Sequence, residues 1–173
     1  MSDRPVNEMA VNVARDVLAN LDKECHPYTP RLGIYVNSYV LDRFYNQELQ
    51  TVLDEFQNIG SECKVCALGA ILLSKARLYD KIPINYKDTN YYVFREWLIG
   101  GLLDVFDREQ LDLIEIAFEV SDYVVRSFVS YPTPDEALIH KAVQFGDNYP
   151  YHPTDRMRAI MNNIIDNNGH FVP

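Results

Sequence analysis

The chain has 173 residues, 47% of them hydrophobic, with 25 acidic against 16 basic side chains and a formal net charge of −9. That apolar content is enough for one domain to fold without disulfides or metal, and an odd count of 3 cysteines does not suit a secreted disulfide scaffold. Binding to nucleic acid or to an anionic membrane rests on clustered Lys and Arg; here the bases are scattered, so both are disfavoured.

No apolar run approaches the roughly 20 residues of a membrane span, and "MSDRPVNEMAVNVARD" lacks the apolar core of a signal peptide. A cytoplasmic, reduced protein is expected. Periodicity predicts helices along most of the chain. Residues 6–22 carry Met9, Val13, Val17 and Leu21 at helical spacing behind Pro5. Two prolines interrupt 26–41, where Tyr35, Val36, Tyr39 and Val40 suit a short strand or hairpin. Residues 46–58 read as helix through Leu49, Val52, Leu53 and Phe56, and Gly60 stops them.

Ser61 suits the N-cap of a helix running to about Tyr79, and a polar, tyrosine-rich loop follows over 79–92. A helix over 93–106 is built around Trp97, Leu98, Leu102 and Phe106. Asp107 caps the next, "REQLDLIEIAFEV", and another spans Ser121 to about Val129. A further helix is entered through Pro134, Asp135 and Glu136. The last starts at Thr154 or Asp155 and stops before Gly169. The expected fold class is therefore mostly α: a single compact helical domain over 1–173, with at most a short β element near residues 31–41.

The segment "SECKVCALGAILLSKARLYDKIP" contains Cys63 and Cys66 in a C-x-x-C spacing. A zinc site needs four ligands in tetrahedral reach, and Cys25, His26, Cys63 and Cys66 are the candidate set. A redox pair would want an exposed thiol at a helix N-terminus, but the strand-then-helix setting of thioredoxin-like motifs is missing. A thiol hydrolase would pair Cys66 with His140 and Asp147. The favoured reading is packing: from Val65 to Leu73 the projection leaves no polar face, so the helix is buried all round, with Cys66 in the core and Cys63 near its edge.

Carboxylates form the second constellation. Asp112, Glu115, Glu119 and Asp122 step by three and four, which lines them along one helix face. The ordinary reading is a solvated face; the sharper one is a docking surface for a basic partner, or an imitation of nucleic-acid phosphates, because no lysine interleaves. Calcium does not fit, since these carboxylates lie on a helix and not in a loop of EF-hand spacing. Tyrosines are the third: of 12, several crowd the loops, and Tyr86, Tyr91 and Tyr92 are candidates for partner contact. No phosphate-binding loop, dinucleotide fingerprint, H-E-x-x-H or G-x-S-x-G is present.

The segments "ARDVLANL", "RLGIYV", "CKVCALGAILL" and "DRMRAIMNNIIDNNGHFVP" resemble a group of small phage-encoded and bacterial proteins of unknown function, in which a Cys-x-x-Cys-Ala-Leu-Gly-Ala helix precedes a late acidic turn and a final helix. The resemblance implies a phage or prophage setting and brings no activity. The expectation is a non-enzymatic protein of the host cytoplasm, without cofactor, which binds a host protein with a basic surface, such as one that handles nucleic acid or serves defence. The alternatives are a zinc or thiol enzyme on the cysteine segment and a small-ligand binding protein. Oligomeric state is not legible.

Overall fold

A computed structural model describes residues 5–21, 29–33, 64–79, 91–120 (side chains from 94), 133–149 and 152–173. Among the described residues are six α-helices and one two-stranded parallel sheet, so the fold is mostly α as expected. The predicted helices over 46–58 and 121–129 lie outside the described residues.

Helix α1 spans Glu8–Leu21. Ala10, Val13, Ala14, Val17 and Leu21 recur at helical spacing and are its buried stripe. Asn7 caps it, its Oδ1 accepting the Ala10 N–H at 3.1 Å. Strand β1, Thr29–Pro30, runs parallel to β2, Lys64–Val65, with Thr29 opposite Lys64. The Arg31 N–H donates to the Val65 carbonyl at 2.8 Å and carries the pairing one residue further. The β element thus begins just ahead of the expected 31–41 window, most of which lies outside the described residues.

Helix α2 is Ala67–Leu78 and does not start after Ser61. Lys64 and Val65 are drawn into strand pairing, and the helix opens only after Cys66, which is extended at φ −84° and ψ −177°. The helix is buried continuously from Ala67 to Ala76, in keeping with its lack of a polar face. Helix α3, Tyr91–Gly100, ends six residues before its predicted limit. Gly100 and Gly101 are weak helix formers, and residues 101–106 follow as tighter turns, Leu102 N–H to Ile99 carbonyl and Val105 N–H to Leu102 carbonyl, both 2.9 Å.

Helix α4, Arg108–Glu119, is capped as predicted by Asp107, whose Oδ1 accepts the Gln110 N–H at 2.8 Å. Helix α5, Glu136–Asp147, is capped by Asp135. Helix α6, Pro153–Asp166, opens with proline in its first turn. It closes at Gly169, whose φ is +90° and whose N–H reaches the Ile164 carbonyl at 2.8 Å.

Helix α4 is the axis of the molecule. Gln110 through Phe118 are all buried, and α2, α5 and α6 pack on it while α1 lies across α2 and α6. The C-terminal tail is tied to the same helix: the Gln110 side chain donates to the Phe171 carbonyl at 3.1 Å and accepts its N–H at 2.6 Å. The tightest crossing is between α4 and α5, where Gly146 lies on the Ala117 carbonyl and a Cβ would overlap that backbone oxygen. Gly146→Ala is therefore expected to lower stability by about 1–3 kcal/mol or more. Gly100→Ala, which meets nothing within 4 Å, should stay within about 0.5 kcal/mol of the parent. Denaturant midpoints of the two variants check the contrast.

Candidate functional site

The carboxylate row of α4 turns inward. Asp112 is 5% exposed and Glu115 2%, so neither presents its charge to a partner, and the expectation of a docking face is corrected at these two positions. The cause is Arg95 on α3, itself 1% exposed. Its Nη2 donates to Asp112 Oδ1 and to Glu115 Oε2, both at 2.6 Å, and its Nε donates to Glu115 Oε2 at 2.9 Å. A second arginine–carboxylate contact flanks the first, Arg108 Nη2 to Glu96 Oε1 at 2.6 Å. Burial pushes the Asp112 carboxyl up although Arg95 pulls it down.

Arg95 was not singled out in the sequence, but it carried a signal. A lone base between Phe94 and Trp97–Leu98 in an apolar helix needs an interior counter-charge, and an uninterrupted acidic row nearby is where to look.

Glu119, the last residue of α4, is only partly buried, and its Oε2 accepts the Gly33 N–H at 2.8 Å. Burial, with Glu115 one turn back, pushes its carboxyl up to about 7, while the Gly33 amide and the more distant Arg156 oppose the rise. Cys66 is 2% exposed and free, and burial together with Glu119 pushes its thiol well up against the pull of the Gly69 and Leu68 amides. A thiol held protonated and shielded from solvent is a packing group. The proposed hydrolase partners do not reach it: His140 on α5 is 70% exposed and lies 3.9 Å from Glu136, and Asp147 is exposed as well.

Of the other candidates, Cys25, His26, Cys63, Tyr86 and Asp122 lie outside the described residues. Tyr91 and Tyr92 open α3, with their side chains outside the description. Among the described residues no three His, Cys, Asp or Glu side chains are grouped to hold a metal ion. No helix there is long and apolar enough to cross a membrane.

What the arrangement does is sort charge. Three of the ten described bases, Lys75, Arg95 and Arg156, are buried. Lys75 is buried and donates to Asp104 Oδ1 and the Gly101 carbonyl, both at 2.8 Å. Arg156 is buried and donates to the carbonyls of Phe118, Tyr149 and Gly146 at 2.5, 3.0 and 3.2 Å. Arg77 pairs with Asp16 across α2 and α1. Among the described residues the exposed bases are Arg15, Arg31 and Lys141. The exposed acids are Glu8, Asp104, Asp107, Glu109, Asp135, Glu136, Asp147, Asp155 and Asp166.

Comparison with family models, with curated proteins and with solved structures returned no match. The class that the fold defines is a mostly helical protein built round one buried helix that carries an interior ion-pair cluster.

Arg95→Ala would leave two carboxylates buried without their guanidinium and is expected to lower stability by about 3–5 kcal/mol. Asp112→Asn, which keeps an acceptor for Arg95, should cost clearly less. Chemical denaturation of both variants measures the difference.

Proposed function

We propose that the chain is a non-enzymatic interaction protein that engages a basic macromolecular surface through its outward-facing carboxylates. The concrete form of the reading is a phage-encoded protein that meets a host nucleic-acid-handling or defence protein in the host cytoplasm.

The observation that carries it is the sorting of charge. Among the described residues three of ten bases but only two of fourteen acids are buried, and the exposed set holds three bases against nine acids, so that surface is more acidic than the composition implies. Some of the outer carboxylates serve the fold. Asp107 and Asp135 cap helices, and Asp155 pairs with Arg158. Asp166 gains nothing of the kind. It ends α6, which has no base in its last turn, and a negative charge there opposes the helix dipole by about 0.3–1 kcal/mol. A carboxylate kept where the helix disfavours it supports a role outside the fold. The thiol-enzyme alternative gains no support from Cys66, whose burial removes it from substrate.

The triple variant Glu8→Gln/Glu109→Gln/Asp166→Asn removes exposed charge that no described hydrogen bond uses. Glu8 and Glu109 lie in the first turns of α1 and α4, where a negative charge is favourable, so its stability should fall by no more than about 1 kcal/mol, while its capture of basic proteins from a bacterial lysate at low salt should fall steeply. Parent capture should be lost at high salt. Equal capture by parent and variant, or capture indifferent to salt, would overturn the reading.

A further inference from the structure

We propose that the cleft between α4 and α6 is a recognition site for an extended segment of another protein, and that the chain's own Phe171–Val172 fills it in the structure. The proposal is independent of the outer carboxylates. Its basis is the way these two residues are held. The Phe171 N–H donates to Gln110 Oε1 at 2.6 Å, and its carbonyl accepts from Gln110 Nε2 at 3.1 Å. The Val172 N–H donates to Asn163 Oδ1 at 2.8 Å, and its carbonyl accepts from Asn163 Nδ2 at 2.8 Å. All four backbone polar groups of the pair are thus taken by two side chains, one from α4 and one from α6.

A primary amide carries an acceptor beside a donor, which matches the N–H and carbonyl that one residue of an extended strand presents together along one edge. Successive residues present theirs to opposite edges, hence an amide on each side. Gln110 and Asn163 do for this segment what neighbouring strands would do. They read main chain, which any residue other than proline offers in full. Selection falls to the side chains. Phe171 is buried and meets the Phe145 ring of α5 edge-on, with centroids 5.2 Å apart and planes at 84°. Val172 is exposed and selects little. The partner that fits is an extended segment in which an aromatic residue is followed by one that keeps its N–H.

Two features set this cleft apart from permanent packing. Its outer clamp lies at the surface, where Asn163 is half-buried and Val172 exposed, so water replaces those two bonds at little cost and the segment peels from that end. Its inner clamp does not. Gln110 is only 6% exposed, and with the segment gone both ends of its amide would be buried without a partner, which is costly. An emptied cleft therefore calls for another main chain of the same kind.

The test titrates the isotope-labelled full chain with an acetylated peptide that has the sequence of residues 168–173. The side-chain amides of Gln110 and Asn163 are read by NMR, with the Ile114 amide as the control for folding. In Phe171→Ala, whose own segment has lost its anchor, the peptide should bind and return both side-chain amides towards their parent positions. The parent, whose segment competes from within the same chain, should bind at least about 10-fold more weakly. Peptides N-methylated at the position of Phe171 or of Val172 lack the N–H that Gln110 or Asn163 accepts, and should bind about 10-fold more weakly than the plain peptide. Val172→Pro removes one of these donors at an exposed position and decides the matter if Phe171→Ala does not fold. The proposal is overturned if the peptide binds neither folded variant, if the parent binds it equally, if N-methylation has no effect, or if neither variant folds. A parent dimer in sedimentation that Val172→Pro dissolves would assign the cleft to a second copy of the chain and overturn it as well.

Discussion

Arg95 constrains the molecule more than any other residue. Taking a guanidinium and two carboxylates out of water costs several kcal/mol for each ion before their attraction is counted, and the loss is offset only if the geometry is good. Here it is: one nitrogen of Arg95 reaches both Asp112 and Glu115, and a second reaches Glu115 again. Sliding α3 along α4 by one residue would leave at least one of these charges buried and unpaired. The cluster therefore sets the register between the two helices. It also explains why α4 can be buried on every side from Gln110 to Phe118 although that stretch carries Asp112 and Glu115. Arg95 meets its polar row, and α2, α5 and α6 cover its apolar sides.

A helix buried from Gln110 to Phe118 raises a second difficulty, since its last carbonyls have no partner within the helix. Two devices meet it at the C-terminus of α4. Val120 adopts a left-handed conformation, φ 54°, and returns its N–H to the Ile116 carbonyl at 2.8 Å. This is an unusual conformation for a β-branched residue and persists only where the surroundings enforce it. Arg156 supplies the other, taking the carbonyl of Phe118 together with those of Gly146 and Tyr149. One side chain on α6 thus joins the ends of α4 and α5, which in turn makes room for the close approach at Gly146.

The helices were legible in the sequence wherever local chemistry marked them. Asp107 and Asp135 sit ahead of periodic apolar runs and cap them as expected, and Gly169 closes the last helix with the positive φ that glycine tolerates. The reading failed where a long-range partner outweighed a local signal. Ser61 was a plausible cap, but pairing of Lys64–Val65 with Thr29–Pro30 delays the helix to Ala67. No periodicity within one segment reveals a strand two residues long whose partner lies 35 positions away. The carboxylate row failed in the same way: spacing placed Asp112, Glu115 and Glu119 on one face correctly, but which way that face turns depends on Arg95 in another helix.

That inversion changes what charge says about function. An acidic row on a helix reads as a surface only if nothing inside needs it, and here the interior takes Asp112 and Glu115 together with Arg95, Lys75 and Arg156. Because the interior draws more heavily on the bases, the exposed set among the described residues is left strongly acidic. The carboxylates that bear on binding are then those the fold has no use for, and Asp166 is the clearest of them. Glu119 lies between the two groups. It is near enough to the interior for burial to push its carboxyl up, yet it is bonded to a turn whose tip is in solvent, so it ties the end of α4 to the neighbouring turn and is not one of the surface charges left without a structural use.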